Sequence, residues 1–437
     1  MNSVFSFKKN TLIKGAFIIC VGGFLTKIIG AIYRIPLTNV LGAEGIGIYQ
    51  MVFPLYSILL TLSSTGVPNG ISKLIASGYN PNLVLKKSLK VFVLIGLICT
   101  AFLAIFANKI ATIQGDSKAG LSYLAISPAV VGVSIICCFR GYYQGFANMK
   151  PTAISQILEQ IIKLCFGLLL AYLFRKNVIL SSFFAVLSVS ISEILIATYF
   201  LINYYKKPKL KESLDGKTIT VKILLKTIFP VMLSTLVLPL TRTIESFLIL
   251  NILNKYTPFA TSLYGLYSGV VESLVGVPVA LLYGIAITSV PIIARENKVG
   301  KNTFKKARQS IFLTLILAVI FGGAFILFSR GAINLLYPKL NLVDKETTIN
   351  MLKIASLSVV FLPLMQTLSS LLIALEKLYA PCISSSIASI FKIILTIILL
   401  NIPSINIFAV VITDIVCYVV ACFLDLVYYI SIKRESR

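Results

Sequence analysis

Apolar runs about as long as a bilayer-crossing helix recur along the whole chain, set apart by short stretches where lysine, asparagine, glycine and proline collect. A hydrocarbon core about 30 Å thick needs roughly 20 apolar residues of helix to cross it. Runs of that kind fall at 11–33, 46–68, 88–108, 120–139, 151–174, 179–202, 223–250, 260–293, 304–328, 351–375, 381–400 and 406–430. Pro54, Pro278 and Pro291 lie inside two of them and are expected to bend or interrupt the helix. The pattern predicts an all-α polytopic membrane protein with twelve transmembrane helices.

Composition excludes the soluble alternatives. With 57% hydrophobic and 13% charged residues in 437, the chain carries more apolar surface than a soluble core can hide. The absence of His removes imidazole metal sites, proton relays through imidazole and Ser-His catalysis, and no other catalytic constellation assembles. The chain therefore reads as a transporter and not an enzyme, with neither metal nor organic cofactor expected. All eight cysteines fall in spans without C-x-x-C spacing and read as packing residues. With no Trp, interfacial aromatic belts must come from the 20 Tyr.

The net charge of +25 raises nucleic acid as a partner, but topology explains it. If both termini are cytoplasmic, the inside segments hold 26 of the 40 Lys and Arg. No nucleic-acid partner is expected. The longest polar stretch, Lys206 to Lys222, reads as a basic cytoplasmic linker that also meets lipid headgroups, between an N-terminal six-helix lobe, 1–205, and a C-terminal one, 223–437.

A repeat supports two lobes. An offset of about 215 residues lays Lys27 on Arg242 and Tyr49 on Tyr264. A slightly larger one brings LKKSLKVFVL (85–94) over FKKARQSIFL (304–313), and later Pro151 over Pro381, with Lys163 within one residue of the counterpart of Lys392. Six spans per half make this a parallel pseudo-repeat about an axis along the membrane normal.

Four basic residues deep inside spans, Lys27, Lys163, Arg242 and Lys392, thus form two repeat-related pairs. A charge at mid-bilayer costs about 2.5–3.5 kcal/mol on insertion scales and normally faces a bundle interior or a watery space. Two facing halves would gather all four around a central cavity. A structural alternative stands beside this: Glu159 and Lys163 are i, i+4 on one helix, and Arg242 and Glu245 are i, i+3, so these bases are open to local neutralisation. Lys27 and Lys392 have no such neighbour, nor do Glu193, Glu272 and Asp414, which either pair across helices or bind a coupling cation. Glu272 and Asp414, then Glu245, are the candidates for a coupling proton or sodium ion, because no nucleotide-binding loop is present to drive uphill transport.

The segments YRIPLTNVLGAEGIGIYQ (33–50), LSSTGVPNGISKLIA (62–76) and RGYYQGFANMKPTAISQILEQIIK (140–163) resemble the stage V sporulation protein B-like, polysaccharide-biosynthesis branch of the multidrug/oligosaccharidyl-lipid/polysaccharide flippase superfamily. The resemblance implies two lobes around a V-shaped cavity in the cell membrane. It also implies alternating-access transport of a polyprenyl-pyrophosphate-linked sugar for peptidoglycan, spore cortex or polysaccharide, beside the cell-wall synthesis machinery. Related flippases carry basic residues on the first helix; Lys27 matches the first, and Arg34 sits one position off the second. Two departures stand out: Ile48 falls where the peptidoglycan-precursor branch has an acid, and many relatives have fourteen spans.

A sugar pyrophosphate needs a cationic path for its head while its tail stays in lipid. A multidrug exporter of organic cations would prefer acidic, aromatic-lined pockets. That exporter, coupled to a cation, is the first alternative; a membrane scaffold without transport is the second. The segment RGYYQGFANMKP joins spans four and five, with Gly141, Gly145 and Pro151 expected to make a tight turn and Arg140 and Lys150 to anchor it at headgroups. Gln144 and Asn148 there offer neutral hydrogen bonds, either as a substrate gate on the cytoplasmic side or as part of a plain connection.

Overall fold

The computed structural model describes residues 9–61, 66–206, 217–298, 303–377 and 379–435. Most of the expected linker, 206–222, lies outside the described residues. In chain order the helices are α1 (Lys9–Leu60), α2 (Val67–Ala76), α3 (Pro81–Gln114), α4 (Gly120–Gly145), α5 (Lys150–Leu173), α6 (Val178–Lys206), α7 (Val221–Thr235) and α8 (Val237–Leu253). They continue as α9 (Ala260–Gly265), a π-helical turn (Leu266–Val271), α10 (Glu272–Lys298), α11 (Phe304–Leu336), α12 (Leu342–Ala374), α13 (Tyr379–Leu400) and α14 (Phe408–Glu435). The protein is an all-α membrane protein, and among the described residues 10 helical stretches are long and apolar enough to cross a bilayer.

The difference from twelve has two local causes. At 1.5 Å per residue, α1 is on the order of 80 Å long, far more than one crossing. It is broken at Gly42, whose φ of 69° and ψ of −175° only glycine adopts readily. The break lies here and not at Pro54, which stays within the helix. The run 223–250, expected as one span, divides between Thr235 and Val237 into α7 and α8, neither of which reaches span length. Pro239 explains the division, since its ring clashes with the carbonyl four residues back, that of Thr235. Downstream, α10 runs through Pro278 and Pro291, and the irregularity falls instead on the π-helical turn.

The chain forms two compact units, Met1–Gly30 with Met51–Thr243, and Ala31–Gln50 with Ile244–Arg437. Their bounds depart from the linear halves, because the middle of α1 belongs with the second unit and α7 with the first.

In the first unit α2, α3, α4, α6 and α7 share a core that includes Ile71, Phe92, Ile136, Phe139, Phe200 and Ile228. Helix starts follow the sequence: Asn80 accepts from the backbone N–H of Asn82 and Leu83 ahead of Pro81 at the first position of α3, and Asn177 caps α6 the same way. Gly141 and Gly145, expected in a turn, lie inside α4. A Cβ on Gly141 would come within 2.8 Å of Ile71 Cβ and 2.9 Å of Pro68 Cα, and one on Gly145 within 2.7 Å of Ile75 Cβ. They are small so that α2 can lie against α4. The turn itself is carried by Ala147, a non-glycine at φ 56°.

In the second unit α10, α11, α12, α13 and α14 pack around residues including Ile293, Leu371, Leu372 and Tyr429. Asn341 caps α12 through the N–H of Asp344. The repeat-related α3 and α11 each bury only 17% of their most apolar window, which leaves a broad hydrocarbon surface for lipid on both.

Candidate functional site

Several ionisable residues of the spans gather in two buried clusters, one in each unit. In the first unit, Arg140 on α4 places its guanidinium Nη2 2.5 Å from Glu159 Oε1 on α5, while its Nε donates to Ser155 Oγ at 3.0 Å. The two side chains are 12% and 11% exposed. Arg140 is therefore a buried partner and not a headgroup anchor, and Glu159 is neutralised chiefly from the neighbouring helix instead of by Lys163. Lys163, half-buried, holds its ammonium over the Phe53 ring, 6.0 Å from the centroid. Glu193 on α6 is in the electrostatic range of Arg140, Glu159 and Lys163. The buried Tyr56 hydroxyl beside these acids makes no hydrogen bond.

The second unit holds a tighter arrangement. Lys392 on α13 has its ammonium 2.6 Å from Glu245 Oε2 on α8 and 2.6 Å from Asp414 Oδ1 on α14. Tyr267, in the π-helical turn, donates its phenol to the other Asp414 oxygen. All three charged residues are 8% exposed or less. One turn along, Thr396 donates to Thr413 at 2.9 Å and ties α13 to α14 again. A charge removed from water this completely is tolerated because opposite charges from separate helices meet it with hydrogen-bonding geometry. Lys392, expected to meet substrate phosphates, instead clamps two carboxylates. Asp414 and Glu245, candidates for a coupling cation, already hold one in the form of its ammonium, and Glu245 is a partner of Lys392, where the structural alternative paired it with Arg242. Glu245 Oε1 remains buried with no hydrogen bond. Glu272 is half-buried and feels this cluster electrostatically.

Three of the expected basic residues lie outside these clusters. Lys27 on α1 and Arg242 on α8 both belong to the first unit and both present exposed side chains. Arg34, also on α1 but in the second unit, is half-buried and donates from Nη1 to Ser273 Oγ at 2.7 Å, close to the buried Tyr49 and Tyr337. Gln144 donates to Thr152 Oγ1 at 3.2 Å across the α4–α5 connection, and Asn148 is exposed beside it.

Reasoning from the sequence missed Arg140, Tyr267 and Ser273. Arg140 had a usable signal: α4 and α5 are consecutive helices joined by four residues, so a base near the end of one can reach an acid two turns into the next. Tyr267 and Ser273 had none, since their partners are distant in sequence.

Comparison with known proteins fits this architecture. The chain matches the family described as polysaccharide biosynthesis protein over residues 12–297. It is 28% identical to stage V sporulation protein B of Bacillus subtilis (strain 168), over 70% of this chain and 63% of that protein. It is 25% identical to the lipid II flippase MurJ of the same organism, over 71% of this chain and 63% of that one. The chain thus spans somewhat less than two thirds of the length of these two relatives. Among solved structures, the lipid II flippase MurJ in an inward closed conformation superposes with a TM-score of 0.71 at 17% identity, covering 94% of this chain and 87% of that one. An inward-facing multidrug resistance MATE family transporter superposes with a TM-score of 0.72 at 13% identity, covering 94% and 96%. These two likenesses establish the fold.

Proposed function

From a chain that belongs to the polysaccharide biosynthesis protein family, within the multidrug/oligosaccharidyl-lipid/polysaccharide flippase superfamily, we propose a flippase that moves a polyprenyl-pyrophosphate-linked sugar across the cell membrane by alternating access. The observation that carries the choice of cargo is the division of charges. Glu159, Glu245 and Asp414, acids that an organic cation would need, are already paired with Arg140 and Lys392, and Lys27 and Arg242 present exposed basic side chains on apolar helices. A pyrophosphate headgroup is the kind of anion that exposed bases on apolar helices attract. Placement of both termini in the cytoplasm, and work beside the cell-wall synthesis machinery, belong to the same proposal.

Coupling to a proton or sodium ion is part of the reading. Glu272, Asp414 and Glu245 are its candidates, the last two only if Lys392 withdraws. Proteoliposomes carrying the chain and a fluorescent polyprenyl-pyrophosphate sugar should show protein-dependent movement of the label between leaflets that responds to an imposed proton, sodium or electrical gradient. Efflux of organic cations without movement of the lipid would identify a multidrug exporter instead, and movement of neither would leave a scaffold.

A further inference from the structure

Where α4 passes into α5, the first unit carries a groove of about 220 Å³, which meets the transport reading only at Asn148, one of the two candidate gate residues. Its lining includes Tyr143, Asn148, Lys150, Ile154, Leu158 and Tyr199. Ile154 and Tyr199 are 53% and 56% exposed on membrane-crossing helices, so the groove opens outward toward lipid. Its depth is marked by an aromatic band, with Phe139 stacked on Phe200 at 5.5 Å and Tyr142, Tyr143, Tyr204 and Tyr205 edge-on or tilted around them, as at a headgroup boundary. Lys150 and Asn148 are exposed at its polar end, and among the described residues no acidic one lines it, so none of them opposes the lysine charge within the groove.

We propose that this groove binds an anionic phospholipid of the adjoining leaflet, its phosphate on Lys150 and Asn148 and one acyl chain along Ile154 and Leu158. The charge selects the headgroup and the apolar wall selects a lipid over a soluble anion. The floor gives the site a connection to the interior: Ser155 lines the groove and accepts from Arg140 Nε, so the bound lipid rests one side chain away from the Arg140–Glu159 pair. The bound lipid is a resident and not the cargo, and the site does not depend on the transport reading.

The chain contains no Trp, so Tyr199→Trp makes a single reporter at the mouth of the groove. The full chain is reconstituted in nanodiscs with brominated phosphatidylglycerol or brominated phosphatidylcholine at equal mole fraction, and Trp quenching reports which lipid is next to the groove. The anionic lipid should be enriched about fivefold, the preference given by one lysine at the surface. Adding Lys150→Gln should abolish the enrichment, and a Phe328→Trp reporter, on the lipid-exposed face of α11, should show none. Equal quenching by both lipids, a preference that survives Lys150→Gln, or the same preference at Phe328→Trp would each overturn the proposal. If Lys150→Gln fails to insert, salt decides on the Lys150 chain: the enrichment should fall as the screening length shortens, and constancy would overturn it. Displacement of the brominated lipid by an equal mole fraction of a polyprenyl pyrophosphate would assign the groove to the cargo path and overturn it as well.

Discussion

At the scale of single residues, the buried charges inside the spans are met by opposite charges from other helices. Lys392 bridges two carboxylates from two other helices, and Arg140 holds one; Lys27 and Arg242 have exposed side chains. That these positions carry charge is legible in the sequence, because an ionisable residue in an apolar run stands out. Which charges meet is not legible, since α8, α13 and α14 come together only in the fold. Removing one member of a buried pair leaves an uncompensated charge, so Lys392→Ala should destabilise the protein by about 3–5 kcal/mol. The triple replacement Lys392→Met, Glu245→Gln and Asp414→Asn, which removes all three charges, should recover most of that loss. Thermal unfolding in detergent measures both; a stable Lys392→Ala protein would mean that the ammonium does not sustain the cluster. Arg242→Ala should impair transport as strongly as the loss of its repeat counterpart, Lys27, since both are exposed bases on apolar helices.

At the scale of elements, hydrophobic periodicity places nearly every helix, and proline and glycine decide where helices break. The exceptions are informative. Pro54, Pro278 and Pro291 sit inside continuous helix, whereas Pro239 divides a span by acting on a carbonyl four residues back, and Gly42 breaks α1 through its dihedral angles alone. A Cβ at Gly42 would meet nothing within 4 Å. Gly42→Ala should therefore cost about 1–3 kcal/mol purely through the backbone. Gly141→Ala should cost a similar 1–3 kcal/mol, or about that, through overpacking against Pro68 and Ile71. Because the atoms met at Gly141 are the Ile71 Cβ and the Pro68 backbone, which a smaller branched side chain does not remove, Ile71→Val should relieve neither the Gly141→Ala loss nor the Gly42→Ala loss. Thermal unfolding of the four variants checks this, and relief at Gly42 would show that its role is packing. The sequence reading treats Gly141 and Gly145 as turn glycines because Pro151 follows closely. Only the α2 helix lying across them explains their presence in α4.

At the scale of the whole molecule, the class of protein, the repeat and the family are visible in the chain before any coordinates. In keeping with the repeat, α3 and α11 are alike in lipid exposure, and an acid sits on the helix after each repeat-related lysine, Glu193 on α6 after Lys163 on α5 and Asp414 on α14 after Lys392 on α13. It is not strict, since Lys392 contacts two carboxylates while its counterpart Lys163 lies over Phe53. The unit boundaries are not visible in the chain, because they pass through α1 and α8, where composition does not change. The central claim is that exposed intramembrane bases carry an anionic lipid-linked sugar. It is tested most directly by the rate at which a fluorescent polyprenyl-pyrophosphate sugar crosses proteoliposome membranes containing Lys27→Ala or Lys27→Arg chains inserted at equal density. Lys27→Ala should abolish crossing while Lys27→Arg retains much of it; crossing by Lys27→Ala at the unsubstituted rate would contradict the claim and make Lys27 a structural residue.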